Sequence, residues 1–234
     1  MGVSEDKNIK EKGNKKVFVV IPAYNERKTI VEVIKGVKPL VDEIIVVDDG
    51  STDDTSRLAE EQGVTVLRHF INRGQGAALQ TGDQYALDKG ADIIVHFDAD
   101  GQFLAKEIGD IVEPIKSGEA EAVFGSRFLG RKSDIPWLKE KIILPLAKIV
   151  NKIFIGKSLT DSQSGFRALS KKAARRIEIE NDKMAHNTEI QGKIFKNNFK
   201  IKEVPINVIY HKFGQRFKGG IRIVKELLLA KLMD

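Results

Sequence analysis

The chain has 234 residues, of which 41% are hydrophobic and 31% charged, values that are typical of a globular protein with a substantial core. It contains no cysteine, which excludes disulfides, thiolate metal sites and cysteine nucleophiles. The formal net charge of +6 suits nucleic acid, anionic lipid or phosphorylated small molecules as ligands, and does not by itself choose among them.

The sequence divides into a tail, a main domain and a C-terminal segment. Residues 1–16 are polar and lysine-rich, so we expect a flexible basic tail there and no signal peptide. Residues 17–211 carry the strand and helix patterns and are predicted to form one domain. Residues 212–234 combine a basic segment with an amphipathic helix at 221–233, which we expect to pack on that domain or to lie at a membrane surface.

Short apolar runs alternate with helical periodicity in the first 126 residues. The predicted strands are 17–21, 44–47, 64–67, 93–97 and 122–126, and the predicted helices are 29–37, 77–87 and 105–116. Pro22 is expected to stop the first strand, and Ser51 or Thr52 to cap a further helix. The alternation predicts an α/β fold, a Rossmann-like and mostly parallel sheet with helices on both faces.

Residues 135–157 have a different character, and a strand-like run at 201–210 follows them. The segment combines a tryptophan and many aliphatic residues with lysines, and Lys141, Lys148 and Lys152 share one helical face. It is either an interfacial helix facing anionic headgroups or an ordinary helix packed on the core with a solvated lysine face. The apolar runs are far shorter than the roughly 20 residues of a membrane span, so any membrane contact is expected at the surface. Dispersed lysines do not predict nucleic-acid binding.

Three polar clusters follow predicted strands. They are Tyr24-Asn25-Glu26, Asp48-Asp49-Gly50 and Asp98-Ala99-Asp100. In open α/β sheets, ligands bind at the carboxyl ends of the strands, so these clusters are predicted to converge on one cleft. Magnesium is commonly held by one or two carboxylates together with substrate phosphates, which suits the Asp98–Asp100 pair, with Gln102 as a neutral oxygen ligand.

Other interpretations of these motifs exist. An EF-hand loop would need its glycine at the sixth position, whereas Gly101 is the fourth. A haloacid dehalogenase phosphatase also places Asp-x-Asp after a strand, and the two carboxylates could simply be solvated. The glycines of Gly74-x-Gly76 match a dinucleotide fingerprint weakly; they could form a phosphate-binding helix N-terminus or serve as turn glycines.

The clusters together resemble the family 2 glycosyltransferases with a GT-A fold. The resemblance is carried by Val20-Ile21-Pro22-Ala23-Tyr24-Asn25-Glu26, Val47-Asp48-Asp49-Gly50-Ser51-Thr52-Asp53 and Asp98-Ala99-Asp100, in the family's order and spacing. Within the family, Asp98-Ala99-Asp100-Gly101-Gln102 and Asp161-Ser162-Gln163-Ser164-Gly165-Phe166-Arg167 are similar to the dolichol- and polyprenol-phosphate mannose or glucose synthases.

The resemblance implies a set of roles. The nucleotide-sugar would be bound by Pro22, Tyr24, Asn25, Glu26, Asp48, Asp49, Asp98 and Ala99. A cofactor Mg²⁺ or Mn²⁺ would be held by Asp98, Asp100 and Gln102, and the catalytic residues would be Asp98, Asp100 and Arg127. The phosphate acceptor would contact Arg127, Ser164, Arg167, His211 and Arg216.

The implied reaction is inverting transfer of a hexose from GDP-mannose or UDP-glucose to a polyprenyl or dolichyl monophosphate. A phosphomonoester has a second pKa of about 6, so it needs positioning rather than a base. One alternative is transfer to a glycan or small-molecule hydroxyl with Asp161 as base, and another is a non-enzymatic nucleotide-sugar or membrane-surface binding module. The expected location is the cytoplasmic face of the membrane, peripherally, with a separate membrane-spanning partner as a further expectation.

Overall fold

The computed structural model describes residues 15–129 and 159–209. The predictions for the tail up to residue 14, for the segment 135–157, for His211 and Arg216 and for the helix at 221–233 lie outside the described residues. Within the two described ranges, no helix combines the length and the apolar character needed to cross a bilayer.

Seven strands of the described residues form one sheet. They are β1 Val17–Ala23, β2 Glu43–Asp48, β3 Thr65–Arg68, β4 Ile93–His96, β5 Ala122–Ser126, β6 Arg167–Ser170 and β7 Ile201–Pro205, in the spatial order β3-β2-β1-β4-β6-β5-β7. Neighbouring strands are parallel except where β6 pairs with β4 and β5, both antiparallel. The predicted mostly parallel sheet is confirmed.

Helices cover both faces of this sheet, as predicted. They are α1 Ile30–Val37, α2 Thr55–Glu60, α3 Gln75–Asp88, α4 Ile108–Lys116, α5 Lys171–Ala174 and α6 His186–Lys196, with short 3-10 turns at Lys38–Leu40 and Ala105–Glu107. Alternation along β1 sends Val19 into a core shared with α1, α2 and α4, and Val20 into a second core shared with α3, α5 and α6.

We predicted that the first strand stops at Pro22. In the structure it continues to Ala23. Pro22 lies opposite Val47 of β2, whereas pairing with β4 ends at Val20 opposite His96. A proline is tolerated there because no ladder hydrogen bond to β4 is required beyond Val20.

The predicted helix cap at Ser51 or Thr52 was also wrong. Helix α2 begins at Thr55, with Asp54 at the N-cap position. The Ser51 hydroxyl instead accepts a hydrogen bond from the backbone N–H of Asn25, 2.9 Å away. The hydroxyl therefore joins two loops at the carboxyl edge of the sheet rather than ending a helix.

Strand β6 was not predicted, and it determines where Arg167 lies. The strand has only four residues and lacks the apolar run that identified the other strands. Phe166 and Ala168 belong to the α1/α4 core, and Leu169 belongs to the opposite core. Because side chains alternate along a strand, Arg167 faces α3 and α6 together with Leu169. Its side chain is consequently covered by helices.

Candidate active site

The three strand-end clusters surround a single cleft of about 350 Å³. From these clusters the cleft takes Pro22, Tyr24, Glu26, Asp49, Asp98, Ala99 and Asp100. The remaining lining residues are Asn72, Gly74, Gln75, Ala78, Gln163, Gly165, Met184 and Asn187. The predicted convergence is confirmed, because parallel β1, β2 and β4 bring their carboxyl ends to the same edge of the sheet.

Two predicted nucleotide-binding residues, Asn25 and Asp48, are not among the residues that line the cleft. The Asn25 side-chain oxygen accepts from the Thr52 N–H at 2.9 Å, and Asn25 has a positive φ of 58°, which asparagine tolerates better than most residues. Asp48 is fully buried, and its Oδ1 accepts from the Ser51 N–H at 2.9 Å. Both side chains fix the loops that carry the cleft residues; their contact with a nucleotide stays a prediction.

Asp49 is held in place by three donors. Its Oδ1 accepts from the Arg73 N–H at 3.0 Å and lies 2.7 Å from His69 Nδ1, and its Oδ2 accepts from the Gly74 N–H at 2.7 Å. The other His69 ring nitrogen lies 3.0 Å from the Thr81 hydroxyl. Sequence analysis missed His69, because a single histidine after a short strand carries no motif of its own.

The amides at the start of α3 are already engaged by the protein. The Gly76 N–H donates to the Asp182 carbonyl at 2.8 Å and the Ala77 N–H does so at 3.3 Å, while the Gly74 N–H is used by Asp49. A side chain at Gly74 or Gly76 would overlap the carbonyl of Asp182 or Asn181. These glycines therefore allow a close backbone approach, and the structure does not support the phosphate-binding interpretation of this loop.

Asp98 and Asp100 lie together at the end of β4, where negative charge accumulates. Gln75 Nε2 donates to Asp98 Oδ1 at 2.8 Å. Removal from water raises the pKa of Asp98 to about 7; the charge of Asp100 acts in the same direction, and Arg167 opposes it. Burial likewise raises the pKa of Glu26, against a hydrogen bond from Thr29 and with the charge of Asp100 adding to it.

The donor set of this region fits a divalent metal that is completed by a substrate. Gln102 Nε2 donates to Asp100 Oδ2 at 2.7 Å and its N–H donates to Oδ1 at 3.0 Å, so the predicted amide ligand lies beside the predicted carboxylate ligand. Among the residues that the structure describes, three or more His, Cys, Asp or Glu side chains nowhere form a metal-binding group. Two carboxylates and one amide match Mg²⁺ or Mn²⁺ that also binds phosphate oxygens.

Arg127, the residue that follows β5, forms a bidentate ion pair with Asp161. Arg127 Nε lies 2.6 Å from Asp161 Oδ2 and Nη2 lies 2.6 Å from Oδ1, and the Arg127 N–H donates to Oδ2 at 3.1 Å. Asp161 is 2% exposed, whereas 21% of the Arg127 side chain is exposed. Ser164, which follows Asp161 closely in the sequence, is also buried. Its hydroxyl has no hydrogen-bond partner among the described residues.

Arg167, for which we predicted an acceptor contact, is buried and is not among the residues that line the cleft; that contact stays a prediction. Its side chain is fully buried, Nε donates to the Gly165 carbonyl at 3.3 Å, and Nη2 donates to the Asn187 side-chain oxygen. Burial lowers the pKa of Arg167 to about 10, and the charges of Asp98 and Asp83 oppose this. Arg167 is buried because the register of β6 turns its side chain toward α3 and α6.

The fold is the GT-A fold that the sequence predicted. The structure is similar to a glucosyl-3-phosphoglycerate synthase from Mycobacterium tuberculosis that was crystallised with Mn²⁺, uridine diphosphate and phosphoglyceric acid. The TM-score is 0.71 at 24% sequence identity, and the match covers 93% of this chain and 78% of that one. This likeness confirms the predicted fold class.

The sequence comparisons identify the family. A model of the family described as "Glycosyl transferase family 2" matches residues 18–178, which is more than half of the chain. The chain therefore belongs to the family 2 glycosyltransferases, and the predicted enzyme class is confirmed.

Two curated relatives have names that refer to lipid phosphates. The UDP-N-acetylglucosamine–dolichyl-phosphate N-acetylglucosaminyltransferase of Methanococcus voltae is 34% identical over 245 residues, covering 94% of this chain and 97% of the relative. The polyprenol monophosphomannose synthase of Mycolicibacterium smegmatis is 27% identical over 221 residues, covering 89% of this chain and 83% of the relative.

Proposed function

We propose that this family 2 glycosyltransferase transfers a sugar from a nucleotide diphosphate sugar to a polyprenyl or dolichyl monophosphate, with inversion and with a divalent metal. The similarity to relatives named for dolichyl phosphate and polyprenol phosphate supports the acceptor class. The acidic cleft at the ends of β1, β2 and β4 supports a metal-bound donor diphosphate.

The pairing of Asp161 with Arg127 is the observation that carries the choice of acceptor. A hydroxyl acceptor needs a general base, and Asp161 was the candidate for it. Both Asp161 oxygens accept from the Arg127 guanidinium at 2.6 Å, and the carboxylate is nearly inaccessible. In this arrangement a hydroxyl acceptor does not reach the carboxylate, and a general base has to lie within hydrogen-bond distance of the proton it removes. A phosphate acceptor, already an oxyanion, makes no such demand.

In this proposal the residues divide the work. Tyr24 and Asp49 border the nucleoside end of the cleft, and Asp98 and Asp100, with Gln102, would hold the metal. The metal would supply positive charge to stabilise the departing nucleoside diphosphate. Arg127, oriented by Asp161, is the side chain that would bind the acceptor phosphate, since its planar guanidinium is suited to phosphate oxygens.

The two relatives are named for different donor sugars. One relative is named for UDP-N-acetylglucosamine and the other for mannose. We therefore keep GDP-mannose and UDP-glucose as the donors expected from the sequence and add UDP-N-acetylglucosamine to the donors that should be assayed. A lipid acceptor also implies that the enzyme works at the membrane surface, which is part of the same proposal.

The test is a transfer assay with polyprenyl phosphate in vesicles, using each of the three donors with Mn²⁺. We expect transfer to polyprenyl phosphate with at least one donor, none to dephosphorylated polyprenol, and co-sedimentation of the enzyme with the vesicles. Asp161→Asn should raise the KM for polyprenyl phosphate by about tenfold, because it weakens the pair that orients Arg127.

A matched control is Asp54→Asn, which breaks an exposed Arg–Asp pair at Arg57 away from the cleft and should leave transfer unchanged. Efficient transfer to a hydroxyl acceptor that Asp161→Asn abolishes, without use of lipid phosphate, would refute the proposed acceptor and favour the base role. Binding of a nucleotide-sugar or of the vesicles without transfer to any acceptor would favour a non-enzymatic module.

A further inference from the structure

A buried arginine lies under the cleft floor with more acidic than basic neighbours. Arg167 is fully inaccessible, and the two charges that act favourably on it are those of Asp98 and Asp83. Asp83 is already paired with His96, whose Nε2 lies 2.8 Å from Asp83 Oδ1. Asp98 is the neighbour that belongs to the cleft itself.

We propose that Arg167 is a positioning residue of the transferase site, which balances the charge of Asp98 from beneath and ties the floor of the cleft to its far wall at Asn187. The inference rests on the proposed function, in which Asp98 is one of the residues that would hold the metal. It assigns Arg167 a different role from acceptor binding, and it can be tested in the protein without any substrate.

Opposite charges link Arg167 to Asp98. A buried guanidinium is tolerated only when carboxylates and hydrogen-bond acceptors compensate its charge. Asp98 packs against Gly165, and the Gly165 carbonyl accepts from Arg167 Nε at 3.3 Å, so the carboxylate and the guanidinium contact the same residue. The charge of Asp98 and the charge of Arg167 are therefore mutually stabilising.

The backbone of Gly165 lies against Asp98 and is hydrogen-bonded to Arg167. A Cβ placed on Gly165 would lie 2.6 Å from Asp98 Oδ2 and 3.1 Å from Oδ1, so the carboxylate is packed directly against this residue. The Gly165 carbonyl accepts from Arg167 Nε at 3.3 Å. The backbone at Gly165 thus contacts Asp98 with one group and Arg167 with another, which links their positions.

Arg167 is also connected to α6 through Asn187. Asn187 lines the cleft, and its side-chain oxygen accepts from Arg167 Nη2. The preceding residue, His186, adds no competing charge: its Nδ1–H donates to the Lys183 carbonyl at 2.7 Å, and burial, with the charge of Arg167, lowers its pKa to about 3. Arg167 is thus the cation that joins Asp98 to the α6 wall.

A double-mutant cycle on metal-free, ligand-free protein tests the charge relation. Arg167→Met should lower the urea midpoint of unfolding, because it leaves Asp98 without its counter-charge. Adding Asp98→Asn to Arg167→Met should recover at least half of that loss. Asp49→Asn is the matched control: it is a buried cleft carboxylate bonded to His69, and its effect should simply add to that of Arg167→Met.

Additive effects of Arg167→Met and Asp98→Asn would overturn the proposal, because a purely structural arginine would not couple to one carboxylate. If Arg167→Met does not fold, the same cycle is run with Arg167→Gln, and the same criterion applies.

The positional part is tested by kinetics with Gly165→Ala and Arg167→Lys. Gly165→Ala should lower kcat by about tenfold or more, since a small misplacement of a catalytic group has large effects. Arg167→Lys should retain more kcat than Arg167→Met, because it keeps the charge while losing the bond geometry. Wild-type kcat in Gly165→Ala, or equal loss in the two Arg167 variants, would contradict positioning. Absence of transfer by the wild type would refute the proposed function and leave the coupling measurable.

Discussion

Asp49 and Asp98 are two acidic residues of the same cleft that the protein treats in opposite ways. Asp49 accepts hydrogen bonds from two backbone amides and contacts His69, so its oxygens are used by the fold. Asp98 receives one side-chain hydrogen bond, from Gln75, and shares its surroundings with Asp100. The side proposed to bind the nucleoside thus contains a carboxylate whose oxygens are satisfied, and the side proposed to bind the metal contains two neighbouring carboxylates.

Asp49 and Asp98 differ in how much each carboxylate would gain from a bound cation. A carboxylate whose charge is only partly compensated gains most when a metal arrives, whereas one with three donors gains little. Burial, and then the charge of Asp100, raises the pKa of Asp98 to about 7. Functional sites commonly retain unfavourable arrangements of this kind, which cost stability and serve binding.

The largest expected effect is on activity, from Asp100→Ala. Removing a proposed metal ligand should lower Mn²⁺-dependent transfer by at least about 10²-fold. The free energy of unfolding should change by less than about 1 kcal/mol, because the loss of a charge that disfavours the ionised Asp98 and Glu26 offsets the lost hydrogen bonds. Transfer assays across a Mn²⁺ titration and urea unfolding measure the two quantities.

Asp88→Ala, on the exposed end of α3, is the control for the Asp100 variant and should match wild type in both assays. Retained metal-dependent transfer in Asp100→Ala would refute the metal assignment. A large loss of stability would instead mean that Asp100 belongs with Asp49 among the structural acceptors.

Asp49→Ala should have the opposite profile, with stability affected first. The change leaves His69 and the amides of Arg73 and Gly74 without their acceptor, and unsatisfied buried donors should lower the free energy of unfolding by about 2–3 kcal/mol. Urea unfolding measures the loss, and isothermal titration with nucleoside diphosphates measures the accompanying change in affinity. If the unfolding free energy stays within experimental error of wild type, the contrast between the two sides fails.

The smallest expected effect is a change in pH dependence from His186→Asn, next to Arg167. Burial, and then the charge of Arg167, lowers the pKa of His186 from 6.5 to about 3, so the folded state keeps it neutral. Its contribution is fully present above pH 6.5 and is lost as the pH falls toward 3; between pH 7 and pH 5 the loss is about 2 kcal/mol.

An asparagine keeps a donor near the position of His186 Nδ1 and does not titrate. The His186→Asn variant should therefore lose less unfolding free energy than wild type between pH 7 and pH 5, by about 2 kcal/mol. Urea unfolding at the two pH values checks this. Identical pH dependence in the two proteins would show that His186 already binds its proton in the folded state.

Much of the fold and part of the site could be predicted from the sequence. The apolar runs of β1, β2 and β4 are long enough to identify buried strands, and each ends in a polar cluster. Parallel strands bring such ends together, so the convergence of Glu26, Asp49 and Asp98 followed from pattern alone. The carboxylate pair Asp98 and Asp100, which we propose as metal ligands, could be recognised because its two members are neighbours in the chain.

The remainder depends on contacts between distant segments. His69, Gln75 and Asn187 acquire their roles through partners that lie 20 or more residues away, which no local pattern records. Likewise, the ion pair between Asp161 and Arg127 joins residues that lie far apart in the chain, and no feature of the Asp161 motif predicts it.

Asp98 shows where the sequence stops and the tertiary structure takes over. Its position at a strand end and its spacing to Asp100 are written in the chain, because they follow from local strand geometry. Its burial, the Gly165 backbone against its oxygens and the Arg167 charge beneath it arise only when the antiparallel β6 is inserted beside β4. Strand order decides which charges meet, and electrostatic interactions depend on that distance rather than on sequence.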